Sequence, residues 1–149
     1  VGRFSFEIDT TIDAPIEKVW DYLVHHDEWR RPFIESVAEL SDTGPGVGAR
    51  YENRAKLGPI KQKVINEITE FQPPHRLGWR QVNDDALVVT NRGDYTLEKV
   101  GDSATRFVLS VESTTNGVMS IMAPLMPWMA KNVMAPKLLS QLKEGIAKT

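Results

Sequence analysis

Residues Asn116–Thr149 read NGVMSIMAPLMPWMAKNVMAPKLLSQLKEGIAKT, the one stretch long enough to form a dominant helix. Val118, Ile121, Met122, Leu125, Met129 and Val133 recur at the spacing of a single helical face, so the pattern lays a Met-rich apolar stripe against the rest of the chain. A second stripe, Leu138, Leu139, Leu142 and Ile146, follows Pro136 out of phase with the first, which calls for a bend between them. Pro124, Pro127 and Pro136 each remove a backbone donor and crowd the preceding turn. The regular helix is therefore expected to start near Pro127 and to kink near Pro136. Met119, Met122, Met126, Met129 and Met134 are all the methionines of the chain, and methionine fills irregular apolar space. Such a stripe belongs either to an ordinary core-facing helix or to the lid of a hydrophobic cavity.

The chain's 149 residues suffice for one domain, 1–149, with a single core. Hydrophobic residues make up 41% and charged residues 26%, the balance of a soluble globular protein. No apolar run is long enough to span a bilayer and no basic stretch leads an apolar one, so a cytoplasmic location is expected. The absence of cysteine removes disulfides, thiol nucleophiles and thiolate metal sites together. A net charge of -2 gives a nucleic-acid partner no general electrostatic support.

Toward the N-terminus, Phe4, Phe6, Ile8 and Thr10 alternate with polar neighbours, the period of a strand with one buried face. Asp13-Ala14-Pro15 ends it. Pro15 suits a first helical turn, Asp13 sits where a cap belongs, and Ile16, Val19, Trp20, Leu23 and Val24 form an apolar helical stripe. His25-His26-Asp27-Glu28 reads as a polar hinge with Asp27 as a cap, after which Trp29, Phe33 and Val37 suggest a second short helical segment. From there a meander of strands is expected at 37–40, 49–57, 60–71, 76–82, 86–100 and 104–115. Asp42 to Gly48, Gly58-Pro59, Pro73-Pro74, Asn83-Asp84-Asp85 and Gly101-Asp102 make the breaks.

This order of elements, with its local wording, resembles the START/Bet v 1-like (SRPBCC) superfamily, and in particular its bacterial polyketide cyclase/dehydratase and lipid-transport branch. The residues concerned are Ile12-Asp13-Ala14-Pro15-Ile16-Glu17-Lys18-Val19-Trp20-Asp21-Tyr22-Leu23, Gly44-Pro45-Gly46-Val47-Gly48 with Arg50, Ile68-Thr69-Glu70-Phe71-Gln72-Pro73-Pro74-His75-Arg76-Leu77-Gly78-Trp79, and Leu139-Ser140-Gln141-Leu142-Lys143. The resemblance implies an α+β helix-grip fold: a curved seven-stranded antiparallel sheet wrapped around a long C-terminal helix, with two short helices after strand 1. It also implies a cavity between sheet and helix that holds a lipid, a polyketide or an aromatic metabolite, and a glycine-containing loop beside the cavity entrance. No cofactor follows from it.

Within that fold, alternation assigns the inner wall, because residues two apart share a face of the sheet. Tyr51, Asn53, Gln62, Val64, Asn66, Trp79, Leu87, Val89, Asn91, Tyr95, Phe107 and Leu109 are the expected wall, faced by Met122, Met126, Met129 and Val133 of the helix. Lys56, Lys61 and Lys63 fall outside. Several neutral amides on an otherwise apolar face imply water, mutual hydrogen bonds or a polar ligand group, since an unpaired buried amide costs a few kcal/mol.

The candidate chemistry is sparse. His25 and His26 are adjacent, so their rings diverge, and no third ligand is near; a metal site is not expected. Gly44 to Gly48 lacks the Lys-Ser/Thr ending of a phosphate loop. Arg30-Arg31 beside Trp29 reads as solvated surface. Tyr51 and Tyr95, with Arg54 if its strand bulges, are the catalytic candidates, yet no inward carboxylate or histidine accompanies them. The expected partner is therefore a hydrophobic small molecule. A cyclase/dehydratase acting in the same cavity and a co-chaperone-like interaction module stand as alternatives, and a homodimer is left open.

Overall fold

The computed structural model describes residues 2–26, 28–30, 33–57 and 59–149. Strand β1 (Gly2–Ile12) runs into helix α1 (Ile16–His25) and a 3-10 turn, Glu28–Arg30. Six strands follow: β2 (Ile34–Glu39), β3 (Arg50–Leu57), β4 (Ile60–Gln72), β5 (Arg76–Gln81), β6 (Val88–Gly101) and β7 (Ala104–Thr115). All neighbours pair antiparallel in one sheet of order β1-β7-β6-β5-β4-β3-β2. Each chain reversal in the meander falls at the turn residues the sequence supplies. The single departure is β1, which closes onto β7 from the far end of the chain. Phe4, Ile8 and Ile12 bury one face of β1, as its alternation requires. The Thr105 hydroxyl donates to the Ala14 carbonyl at 2.8 Å and so ties the entry of α1 to β7. No side chain caps that helix; Asp13 does not serve, and the Pro15 carbonyl receives the first amide bonds.

One short helix follows strand 1, rather than two. The second is reduced to the 3-10 turn, because the Phe33 amide closes on the Arg30 carbonyl at 2.9 Å and pairing with β3 then captures Ile34 to Glu39, Val37 included. The turn is held by Trp29, which is buried. The expected Asp27 cap, and Arg31 and Gly58, lie outside the described residues.

The C-terminal helix begins at Met119, ahead of Pro127, and changes its hydrogen bonding along its length. It comprises α2 (Met119–Met122), a 3-10 turn (Ala123–Leu125), α3 (Met126–Met129), a π turn (Ala130–Met134) and α4 (Ala135–Ala147). Pro136 cannot donate to Asn132. The wider turn ahead of it, in which the Ala135 amide reaches back five residues to Ala130, accommodates the ring.

That turn also corrects the expected apolar stripe. The buried positions are Met119, Ala123, Met126 and Ala130, then, after a step of five, Ala135, Leu138, Leu142 and Ile146. They form one continuous seam, brought back into phase by the extra residue of the π turn. Val118, Ile121, Leu125 and Val133 face outward instead, at 69%, 82%, 56% and 41% exposure. Inward alanines let the helix backbone approach the sheet, and a count of large apolar residues overlooks them. Among the described residues no helix is long and apolar enough to cross a membrane.

Below the π turn, Leu142 and Ile146 pack in one core with Val19 and Leu23 of α1 and Phe107 of β7. The close approach of α1 to α4 rests on Gly145, where an added Cβ would lie 1.8 Å from the Tyr22 hydroxyl and 2.3 Å from its ring carbon. Alanine at 145 gains about 1 kcal/mol of helix propensity, yet it must displace a buried ring, and overpacking of this kind costs about 1–3 kcal/mol. Gly145→Ala is therefore expected to lower the melting temperature in a calorimetric scan, against its propensity.

Candidate functional site

The sheet and the middle of the C-terminal helix enclose a cavity of about 320 Å³. Small-molecule sites run from about 300 to 1,000 Å³, so this one suits a compact ligand. Tyr51, Asn53 and Ala55 of β3, Gln62, Val64 and Asn66 of β4, and Leu77, Trp79 and Gln81 of β5 make one wall. Thr90 and Tyr95 of β6 and Leu109, Val111 and Ser113 of β7 continue it, and Met126, Ala130, Met134 and Leu138 close it from the helix. Phe4 and Phe6 of β1, Leu23 and Val24 of α1, Ile34 of β2 and Ile68 of β4, with Trp29, Arg30, Phe33 and Pro45 from the turn and loops, complete the lining.

Nine of the expected wall residues meet at this cavity: Tyr51, Asn53, Gln62, Val64, Asn66, Trp79, Tyr95, Leu109 and Met126. Leu87, Val89, Asn91, Phe107, Met122, Met129 and Val133 do not line it. A bulge between Thr90 and Arg92 resets the alternation of β6, so Thr90 turns inward while Val89 and Asn91 share the other face with Thr114. The Asn91 amide donates to the Thr114 hydroxyl at 2.6 Å there. Leu87 and Met129 join a small separate cluster around Phe4, Met119 and Met126. Met122 and Val133 are carried away by the helix phase described above. Phe107 lies beneath the wall, fully buried, with its ring 6.0 Å from that of Tyr95 and 6.5 Å from that of Trp29. Arg54 faces outward, 3.9 Å from the Glu52 carboxylate, because the β3–β4 register carries no bulge.

Trp29, Arg30, Gln81, Thr90 and Met134 are among the lining residues that the sequence reading missed. Gln81 was accessible to it, being two residues from Trp79 on the same strand. Arg30 was not, because a three-residue turn has no period. Its guanidinium stands over the Trp29 ring at 5.6 Å, and among the described lining residues it is the only charged one.

The polar atoms of the wall divide into two sets. Strand β5 pairs with β6 only between Arg76–Thr96 and Trp79–Gly93, and the strands part beyond that point. Two glutamines bridge the gap. Gln62 donates to the Val88 carbonyl at 2.9 Å and accepts from the Val88 amide at 3.3 Å. Gln81 accepts from the Thr90 amide at 3.0 Å and donates to the Asn83 carbonyl at 3.1 Å. These amides are satisfied as parts of the sheet. In contrast, Asn53 Oδ1, Asn66 Oδ1 and the Trp29 indole N–H are buried with no hydrogen-bond partner in the protein. Each such atom costs about 1–3 kcal/mol if left unpaired, so three around one hollow are positions where water or a ligand can hydrogen-bond.

Trp79 owes its position to Gly93 on the neighbouring strand, where a Cβ would fall 2.5 Å from the indole ring. Next to it, burial pushes the Tyr95 hydroxyl pKa well above its ordinary value; the Arg30 guanidinium opposes that shift and Tyr51 adds to it. Tyr95 therefore remains a neutral donor throughout the ordinary pH range. An unfolded chain ionises it near 10.0 while the folded chain resists. Its contribution to stability is accordingly present below about pH 10 and lost as the pH rises further. Thermal stability is expected to decline above about pH 10, and Tyr95→Phe to flatten that decline. The two histidines of the hinge are engaged elsewhere: His25 Nδ1 lies 3.0 Å from Asp21 Oδ1, and His26 stacks on Tyr22.

A seven-stranded antiparallel sheet gripping a C-terminal helix, with an apolar cavity between them, defines a helix-grip protein. The chain belongs to the family described as polyketide cyclase / dehydrase and lipid transport, which it matches over residues 3–148. No curated protein matches it. A START superfamily protein from Mycobacterium smegmatis has the same fold at a TM-score of 0.79 and 9% identity, with 97% of each chain covered. A conserved protein from Geobacillus kaustophilus superposes at 0.77 with 16% identity, over 97% of this chain and 96% of that one. The Zhui aromatase/cyclase from Streptomyces sp. R1128 does so at 0.72 and 16%, over 98% and 93%. At these identities the likeness is one of fold.

Proposed function

We propose that this protein holds a mainly apolar small molecule, such as a lipid, a polyketide or an aromatic metabolite, in the cavity between sheet and helix. Apolar burial against Trp79, Leu109, Val64 and Met126 supplies the affinity, at about 1.5–3 kcal/mol for each medium group removed from water. Tyr51, Tyr95 and the unpartnered atoms of Asn53, Asn66 and Trp29 orient the ligand's polar end. Those three atoms carry the reading, since they gather around one apolar hollow where the polar end of a ligand would satisfy them. Native mass spectrometry of freshly purified protein tests it, followed by extraction and identification of the bound molecule. A discrete added mass that disappears on extraction is expected, and an empty protein that takes up neither aromatic nor acyl probes would overturn the proposal.

A catalytic use of the same cavity is the second reading, favoured by Arg30, whose charge acts on the buried Tyr95 hydroxyl. Such a pair can polarise a carbonyl, although among the described residues no carboxylate or histidine lines the cavity to shuttle protons. Tyr95→Phe separates the two. Conversion of the extracted molecule lost while its binding is retained would indicate an enzyme, and binding without conversion in either form a carrier. An interaction module with a filled interior is disfavoured by the cavity.

A further inference from the structure

The helix that closes the cavity carries on its other side Val118, Ile121, Leu125 and Trp128, at the i, i+3, i+7 and i+10 positions of one face, each more than half exposed. Four large apolar side chains aligned in water are unusual for a surface that meets only solvent. The charges on this stretch of the helix have one sign. Residues 113–143 contain Lys131, Lys137 and Lys143 and no Asp or Glu, although the chain as a whole is net negative. Lys131, one turn beyond Trp128, is exposed beside the ridge, and the exposed Asp84 and Asp85 belong to the loop at the opposite, Val118 end. The face is therefore polarised, apolar along its length and basic where the tryptophan lies.

We propose that this face, from Val118 to Val133, docks on an anionic lipid surface, with Trp128 entering the headgroup boundary and Lys131 and Lys137 meeting lipid phosphates. An exposed apolar ridge with tryptophan and flanking lysines is the pattern of a helix lying in a membrane interface. A second copy of the chain is the competing occupant, since an antiparallel twofold contact would set Lys131 toward the Val118 end of its copy, where Asp84 and Asp85 lie. The lysine-only charge of residues 113–143 favours an anionic surface, and light scattering separates the two. Docking here also has a consequence for the cavity. Met126, Ala130 and Met134 line the hollow from the same segment, in which prolines and the 3-10 and π turns already replace regular bonding. The proposal does not depend on which molecule the cavity holds.

Flotation of the purified chain with vesicles of phosphatidylcholine alone, or of phosphatidylcholine with phosphatidylglycerol, tests it. Binding is expected on the anionic vesicles, with a blue shift of tryptophan emission that Trp128→Phe abolishes while still binding. Lys131→Glu is expected to weaken binding to the anionic vesicles by about fivefold or more. Trp128→Glu removes it with the melting temperature unchanged, since both side chains are exposed. Absence of the wild-type chain from both vesicle types overturns the proposal. So does a dimer in light scattering that Trp128→Glu dissociates while vesicle binding is unaffected, which would assign the face to a second copy.

Discussion

Replacing Asn53 with leucine is expected to raise the melting temperature and to weaken ligand binding in the same variant. Asn53 sits in the middle of β3, paired with Val64 on one side and Val37 on the other, and is 3% exposed. Its amide oxygen has no partner. Leucine is close to it in size and brings no polar atom, so the substitution removes an unsatisfied buried group worth about 1–3 kcal/mol. In a chain of this length each kcal/mol moves the melting temperature by about 2–4 °C, which places the gain within easy reach of calorimetry. Binding moves the other way. A ligand hydroxyl or amide that donates to Asn53 is left unpaired in an apolar wall, at a cost of about 1–3 kcal/mol or roughly tenfold to a hundredfold in affinity. Stability and binding are thus opposed at one residue, the signature of a group kept for its guest. A destabilised Asn53→Leu variant would place the partner of this amide within the protein and remove the polar-wall argument.

Such a test was within reach of the sequence alone, because β3 and β4 were legible in it. Their register runs without a bulge from Arg50–Glu67 to Leu57–Ile60, so strict alternation identifies Tyr51, Asn53, Gln62, Val64 and Asn66 as one face. The same rule fails on β6. One extra residue between Thr90 and Arg92 exchanges the two faces, and nothing in the composition of Val88 to Tyr95 announces it. The bulge between Ile68 and Glu70 likewise shifts the register at the end of β4, where Phe71 pairs with Leu77. The long helix misled for another reason. Its bulkiest side chains make the more conspicuous stripe, whereas Ala123 and Ala130 mark the face that touches the sheet, and the π turn adds a residue to the count. Turn residues, by contrast, marked the meander well, since Gly and Pro act locally. Arg30 shows the remaining limit: its place in the lining depends on how β2 and the buried Trp29 position a short turn, which is a tertiary property.

Phe107→Ala is expected to cost about 3–5 kcal/mol, a large part of the roughly 5–15 kcal/mol that stabilises a domain. Phe107 is fully buried: it pairs with Thr10 on β1 and Leu97 on β6, and its ring supports those of Tyr95 and Trp29 from behind. Truncation leaves a void at the base of the wall that a close-packed interior closes only in part, so chemical denaturation registers both the lost burial and the cavity. Because the alanine variant disturbs everything above it, the position is resolved by milder changes. Phe107→Leu keeps most of the volume and is expected to lower stability modestly while leaving ligand affinity within about twofold, because the ring does not reach the cavity. Trp79→Leu, on the wall itself, is expected to weaken binding by tenfold or more at about 1–2 kcal/mol per contact group lost. If instead Phe107→Leu abolished binding at unchanged stability, Phe107 would belong to the surface that touches the guest, and the cavity would extend deeper beneath Tyr95 than its lining indicates.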